Sequence, residues 1–374
     1  MRRQYWRKMI TRPGVQLDIR SVLEPISSIS ALVAWVAMKA VPLTRARHAG
    51  NFATVLQSSG IPTERYLESS HLPADLLEEF DSDSVLSALS MLDFAEKAAA
   101  KSGIRDLGFW AGLMPIQHYG QFGARVSQAL TLYTGLQTFC DEVRGECSEA
   151  NYYLKRDRST IWFCHHQGQS NPFLPQHELY ALMIMVQVIR LALGPRWKPS
   201  RIRLQSQDRI SLIENAWLLS TNVEFGSAET GFKIVESDLA KPLIKSSDRG
   251  LSFQERASSD YSDALPIEPL DALRALTDMQ LRGGGTPSLE LTAELAGVSV
   301  RTVQRHLRDR CTSFSDLVDQ ARLEIAKTLI VEESVSITHI AYETGYSNVA
   351  NFSRSFKRLT GMSPRAYRKM ILFR

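Results

Sequence analysis

The chain has little cysteine, no apolar run long enough to cross a bilayer, and only a slight excess of positive charge. Four cysteines in 374 residues, Cys140, Cys147, Cys164 and Cys311, are too few and too scattered for a disulfide framework. They fit a reducing, cytoplasmic compartment. The run Ile26 to Met38 is uncharged and largely apolar, but about twenty such residues are needed for a membrane helix. It lies far from the basic start of the chain and no cleavage site succeeds it, which argues against a signal peptide. We expect residues 1–42 to be an extension, its apolar run either packed on the body or preceding a true start at Met38. A membrane partner is not expected.

A net charge of +4 is mild, but its distribution is informative. From Leu270 to Arg374 there are 15 Lys or Arg against 11 Asp or Glu, so this segment holds the whole excess of four. The stretch from Thr344 onward carries basic residues and no acidic one. A basic face at one end of a chain suits a polyanion partner. A merely solvated face would look the same by charge alone.

The length favours more than one domain. Apolar residues recur at helical spacing from Leu43 to about Glu142, with Leu76, Leu77, Phe80, Val85, Leu86, Leu89, Leu92 and Phe94 as one stripe. Two strands are expected at Asn151–Arg156 and Ser159–His166, with Lys155, Arg156, Asp157 and Arg158 as the polar turn between them. A buried helix at Leu179–Leu193 ends at Gly194-Pro195, and short strands are expected beyond it at Arg201–Gln205, Asn222–Phe225 and Gly231–Val235. Residues 246–268 are rich in serine and acid and read as a linker. The expected fold is therefore mainly α: an α+β domain at 43–245 and an all-α domain at 269–374.

The last hundred residues contain an internal duplication. The first copy runs Leu291-Thr-Ala-Glu-Leu-Ala-Gly297-Val-Ser299, then Val-Arg-Thr-Val-Gln-Arg-His-Leu307; the second runs Ile340-Ala-Tyr-Glu-Thr-Gly345-Tyr-Ser347, then Asn-Val-Ala-Asn-Phe352-Ser-Arg-Ser-Phe356. Each reads as two helices crossing at a glycine, which takes a positive φ without a Cβ penalty. Ser299 and Ser347 are the expected N-caps. Val303/Leu307 and Phe352/Phe356 would pin the second helix to the first. The outward face then offers Arg301, Thr302, Gln304, Arg305 and Arg308 in one copy. In the other it offers Asn348, Asn351, Ser353, Arg354, Lys357 and Arg358. Arg, Gln and Asn are the side chains that bond guanine and adenine edges in the major groove of double-stranded DNA. Arg308, Lys357, Arg358, Arg365 and Arg368 are the expected phosphate contacts. Ser315 is the expected cap of a connecting helix from Asp316 to about Val331, which would hold the two units in successive grooves.

The run from Gly345 through Phe352, Phe356 and Ser363-Pro364 to Arg368 resembles the signature of AraC/XylS-type transcription regulators, and Arg301-Thr-Val-Gln-Arg305 is similar to that family's first unit. The resemblance implies seven helices with two helix-turn-helix units. Val223-Glu-Phe-Gly226, Gly231-Phe-Lys-Ile-Val235 and Asp238-Leu-Ala-Lys-Pro-Leu243 more loosely resemble the end of a sensor domain, named after arabinose binding, found in a long-chain branch of the family. The expectation is a cytoplasmic regulator, acting as an activator, with duplex DNA, RNA polymerase and a small-molecule effector as partners and a possible homodimer through the amino-terminal domain. The alternative is an architectural DNA-binding protein that senses nothing.

Other constellations are weaker. Cys164-His165-His166 with Cys140, Cys147 and His177 invites a metal, but neighbours on a strand point to opposite faces and no paired C-x2-C spacing exists. Gly283-Gly-Gly285 lacks the strand and Lys-Ser/Thr of a phosphate loop. No nucleophile motif is present, so neither enzyme chemistry nor a cofactor is expected. Tyr119, Arg125, Tyr152 and Trp162 are the candidate effector contacts.

Overall fold

In the computed structural model the described residues are 41–74, 84–157, 160–166, 175–207, 215–244, 265–266 and 268–372. The expected helical stripe at Leu76, Leu77 and Phe80, the apolar run before residue 39 and nearly all of the linker lie outside them. All described residues belong to one compact unit.

The amino-terminal part opens with strand β1 (Leu43–Arg45), followed by helices α1 (Ala46–Ser58) and α2 (Glu64–Glu68). Strand β2 (Val85–Ser87) then pairs antiparallel with β1, Thr44 opposite Leu86. Val85 and Leu86 were expected on a helix. Their apolar spacing cannot distinguish a half-buried helix turn from a three-residue strand, and pairing with a partner about 40 residues away decides it. Helices α3 (Ala88–Ser102), α4 (Leu107–Ala111), α5 (Gly120–Gln128) and α6 (Leu132–Glu142) come next. Helix α3 is capped at its start by Ser87 and ends at Gly103 with φ +79.

Strands β3 (Tyr152–Asp157) and β4 (Thr160–His165) form the expected hairpin, with Tyr152 opposite His165. Lys155 and Arg156 belong to the strand, not to the turn. They are solvent-facing residues of an edge strand, ion-paired to Glu229 and Glu236. After helix α7 (Pro175–Leu193) come β5 (Arg201–Arg203), the short α8 (Ala216–Leu219), β6 (Asn222–Glu224) and β7 (Thr230–Ile234). The five strands form one sheet in the order β3-β4-β7-β5-β6, antiparallel except for β5 with β6. Helix α7 lies across this part with Leu179 to Val186 buried all round, as its unbroken apolar run requires. Helix α4 approaches it without side-chain spacers. A Cβ on Gly108 would sit 2.0 Å from the Gln176 carbonyl oxygen, and the Gly108 N–H donates to Gln176 Oε1 at 2.8 Å.

The carboxy-terminal part has seven helices among the described residues: α9 (Pro269–Arg282), α10 (Leu289–Leu295), α11 (Val300–Asp309), α12 (Phe314–Ile330), α13 (Ile337–Glu343), α14 (Val349–Thr360) and α15 (Pro364–Leu372). The connector α12 starts earlier than expected because Ser313, not Ser315, caps it. Ser313 accepts from the Asp316 N–H at 3.2 Å and Asp316 accepts from the Ser313 N–H at 3.0 Å, a reciprocal box. Ala326, Ile330, Ile340, Ala341, Phe352 and Phe356 form the core of the second half.

We expect Gly108→Ala to lower the stability of the amino-terminal part by about 1–3 kcal/mol, because the added methyl meets backbone that cannot turn aside. Urea titration followed by intrinsic fluorescence measures it; an unchanged midpoint would contradict this packing.

Candidate nucleic-acid interface and cavity

Both copies of the duplication fold as paired helices. In the first, α10 is capped by Ser288, the chain turns at Gly297 with φ +66, and Ser299 caps α11 by accepting from the Thr302 N–H at 3.2 Å. Val303 and Leu307 are buried. In the second, α13 is capped by Ser336 and the turn is at Gly345, φ +77. The cap of α14 is Asn348, which accepts from the Asn351 N–H at 2.8 Å, and not Ser347. That shift absorbs the extra residue in the second copy. Asn348 therefore spends its side chain on backbone, although it remains exposed.

The other expected DNA-facing residues differ in how free they are. Arg301, Gln304, Arg308 and Lys357 are exposed and make no ion pair among the described residues. Asn351 and Arg354 are exposed and bonded to each other. Thr302, Arg305 and Ser353 are half-buried, Thr302 sharing a hydrogen bond with Ser299 at 2.8 Å. Arg358 is exposed but paired with Asp319 on α12. Arg368 is not placed for a phosphate: it donates to the carbonyls of Ile330 at 2.9 Å and Val335 at 2.7 Å. The end of α12 leaves carbonyls without intrahelical partners, and a guanidinium satisfies them well. Arg322 stacks over Tyr346, 4.8 Å from the ring centroid, so α12 grips the second turn from two sides.

The amino-terminal part holds a partly open cavity of about 70 Å³. Helices α3 and α7 and strands β3 and β4 contribute to its wall. Tyr119 and Tyr152, two of the four expected effector contacts, line it. The Tyr119 hydroxyl lies 3.2 Å from that of Tyr180, and Asn51 donates to both. Arg125 and Trp162 are elsewhere. Arg125 is ion-paired with Glu142 at 2.5 Å, and Trp162 stacks under Arg203 at 3.9 Å. On β4 the residues alternate, so His165 faces the cavity with Tyr152 while Trp162 and Cys164 take the other face. Sequence reasoning set His165 and His177 aside with the metal reading, yet both line the cavity. Among the described residues no three His, Cys, Asp or Glu side chains come together as a metal site, and no helix is long and apolar enough to cross a membrane.

The cavity keeps His165 and His177 neutral. Burial, then the neighbouring His177, pushes His165 down to about 3, and burial pushes His177 down to about 4. The same desolvation pushes the Cys147 thiol up to about 11, which leaves it a poor nucleophile.

Helix α9 packs on β2, and beside it a hydrogen bond joins the two parts. The Ser87 hydroxyl donates to the carbonyl of Leu295, the last residue of α10, at 2.8 Å and accepts from the Ser90 N–H of α3 at 3.3 Å. Leu89, on the first turn of α3, touches the turn glycine: its Cδ1 lies 2.9 Å from where a Cβ on Gly297 would be. Ala88, Leu89, Met91 and Leu92, at the start of that helix, line the cavity. Nothing in the sequence marked Ser87, because a serine before a helix is explained by capping alone.

Two sequence profiles match the chain. The one described as the arabinose-binding domain of the AraC transcription regulator, N-terminal, matches residues 60–243, and a helix-turn-helix domain profile matches residues 292–370. The chain belongs to the AraC family. Among AraC-type relatives, it is 44% identical over 162 residues to the HTH-type transcriptional regulator GlxA of Rhizobium meliloti, spanning 38% of this chain and about half (49%) of that protein. With the regulator VirS of Mycobacterium tuberculosis it is 24% identical over 339 residues, 87% of this chain and 96% of VirS. The crystal structure of the regulator CdpR from Pseudomonas aeruginosa aligns over 82% of this chain and 96% of its own, at 19% identity and a TM-score of 0.34.

This geometry makes two outcomes measurable. Because His165 is held well below its ordinary 6.5, the unfolded chain takes up a proton that the folded one refuses. The stabilisation is complete above pH 6.5 and is lost as pH falls towards 3. Relative to His165→Phe, the native chain should lose up to roughly 3 kcal/mol between pH 6.5 and 4. Glu178, which burial pushes up to about 7, acts in the opposite sense but is common to both proteins. Thermal scans across that range give the difference, and a pH-independent gap would refute it. In Ser87→Ala, hydrogen exchange should speed up together in the first turn of α3 and in the α10–α11 turn. Faster exchange in α3 alone would show that the serine is only a cap.

Proposed function

We propose that this chain is a sequence-specific DNA-binding transcription regulator that responds to a small-molecule effector. The carrying observation is a physical connection: the first groove-facing unit is hydrogen-bonded, through Ser87, to the helix that walls the cavity. An occupant pressing on the first turn of α3 therefore acts on the turn that sets the angle between α10 and α11.

On DNA, Arg301, Gln304, Asn351 and Arg354 read base edges, with Thr302, Arg305 and Ser353 flanking them. Arg308, Lys357 and Arg365 hold phosphates. Arg358, Asn348 and Arg368 support the second unit from within. The connector has 17 residues, about 25 Å of rise, which suits two recognition helices in successive major grooves about 34 Å apart. One chain thus reads two half-sites and leaves its amino-terminal part for a second copy or for RNA polymerase. In this reading the protein is cytoplasmic, acts as an activator and performs no catalysis.

Arg301→Ala should weaken binding to the native promoter by about 1–3 kcal/mol and relax the preference for one base pair. Competition binding at physiological ionic strength, on fragments recovered by genome-wide mapping, measures both. Equal losses on promoter and scrambled duplex would remove Arg301 from base reading. A specificity ratio near one for the native protein would favour the architectural alternative.

A further inference from the structure

The cavity's polar inventory says what kind of molecule it suits. Its wall includes Leu89, Met91, Phe122, Phe139 and Ile184, and no Lys or Arg belongs to it among the described residues. Its charged lining residue, Glu149, is exposed. The nearby Arg47 faces Glu146, Nε to Oε2 at 3.7 Å, and is not part of the lining. A carboxylate or phosphate inside would thus meet no lysine or arginine among the described lining residues, and His48 already faces Glu146. Burying an uncompensated charge is strongly unfavourable.

The hydrogen-bonding groups fall into two sets. On one side Tyr119, Tyr180, Asn51 and His48 bond to one another: His48 Nδ1 lies 2.9 Å from the Tyr180 hydroxyl, which Asn51 also reaches at 2.9 Å, while His48 Nε2 faces the Glu146 carboxylate at 3.4 Å. On the other side partners are missing among the described residues. The Asn151 backbone approaches the His165 ring, but no hydrogen bond of normal geometry reaches either of its nitrogens or Nδ1 of His177 among the described residues, and His165 is 2% exposed. The two rings meet edge to face at 5.5 Å, and Tyr152 stacks on His165 at 4.4 Å. A neutral imidazole presents one donor and one acceptor. Buried groups of this kind are normally satisfied, and a partner from beyond the described residues is what this end lacks.

We propose that this cavity binds a small, uncharged, largely apolar molecule of about ring size, whose hydroxyl or carbonyl group bonds His165 and His177 beside the Tyr152 ring. The proposal rests on the effector-responsive reading and names the ligand class of that same site. Burial already keeps both histidines from protonating, so a cationic ligand finds the same unfavourable environment. A sugar would press most of its hydroxyls against leucine, methionine and phenylalanine.

Four probes of similar size separate these classes: benzyl alcohol, benzoate, benzylamine and a free pentose, each titrated at neutral pH against the full-length protein in thermal unfolding. Benzyl alcohol should raise the midpoint saturably, as a ligand of the native state does. The other three should leave it unchanged. His165→Leu should weaken the alcohol about tenfold or more, since it deletes the bonding group and keeps the apolar wall. If that variant does not fold, His177→Leu serves for the same comparison. The proposal is overturned if benzoate, benzylamine or the pentose stabilises as much as the alcohol, if none of the four shifts the midpoint, or if the folded histidine variant binds the alcohol undiminished. Promoter affinity measured on the same samples keeps the readings apart. Alcohol binding that leaves DNA affinity unaltered overturns effector control and retains the ligand class, whereas promoter specificity without alcohol binding overturns the ligand class and retains the DNA-binding reading.

Discussion

A helix ends with carbonyls that have no partner of their own, and in this chain one of them is satisfied from 208 residues away. The Ser87 hydroxyl gives its hydrogen to Leu295 at the end of α10 and uses its lone pairs to receive the first turn of α3. One side-chain oxygen therefore closes the end of one helix and the start of another. That bond ties the two halves of the molecule together beside the packing of α9 on β2. It places Leu89 against the turn glycine of the first unit and makes the wall of the cavity continuous with the frame of a recognition helix.

Desolvation organises the amino-terminal part. The polar groups that enter it are neutral or paired: Glu146 is kept ionised by His48 and Arg47 against the pull of burial, whereas His165 and His177 are kept neutral because no counter-charge accompanies them. The cavity thus combines an apolar body with one end of unsatisfied but uncharged hydrogen-bonding groups. Such a site discriminates by refusing charge as much as by offering contacts.

In the carboxy-terminal part, positive charge has two uses that composition does not separate. Arg368 holds the end of the connector and Arg358 ties the second recognition helix to Asp319. Arg358 orients α14 and Arg368 fixes α15 to the connector, and neither hydrogen-bond pattern has the character of an open phosphate contact. Arg301, Arg308 and Lys357 carry the outward field. The two copies are also less alike than their glycines suggest, since Ser299 caps one and Asn348 the other. Any oxygen-bearing residue at the turn can cap, so the choice falls to the one whose backbone is extended when the second helix begins.

Sequence alone determined the elements whose cause is local: paired helices around Gly297 and Gly345, their buried i,i+4 pairs, the hairpin before His165 and the buried helix ended by Gly194. Periodicity, glycine conformation and capping chemistry act over a few residues, so they can be read from a few residues. It also marked Tyr119 and Tyr152. Tertiary structure decided the rest. The strand at Val85–Ser87 exists only because β1 pairs with it. Trp162 leaves the cavity because strand register turns it away, and Arg125 because Glu142 holds it. Two histidines that looked like stray metal ligands became the unsatisfied end of a cavity once β4 was set against α7. Hydrogen-bond satisfaction and burial belong to groups brought together from distant parts of the chain, and no local pattern records them.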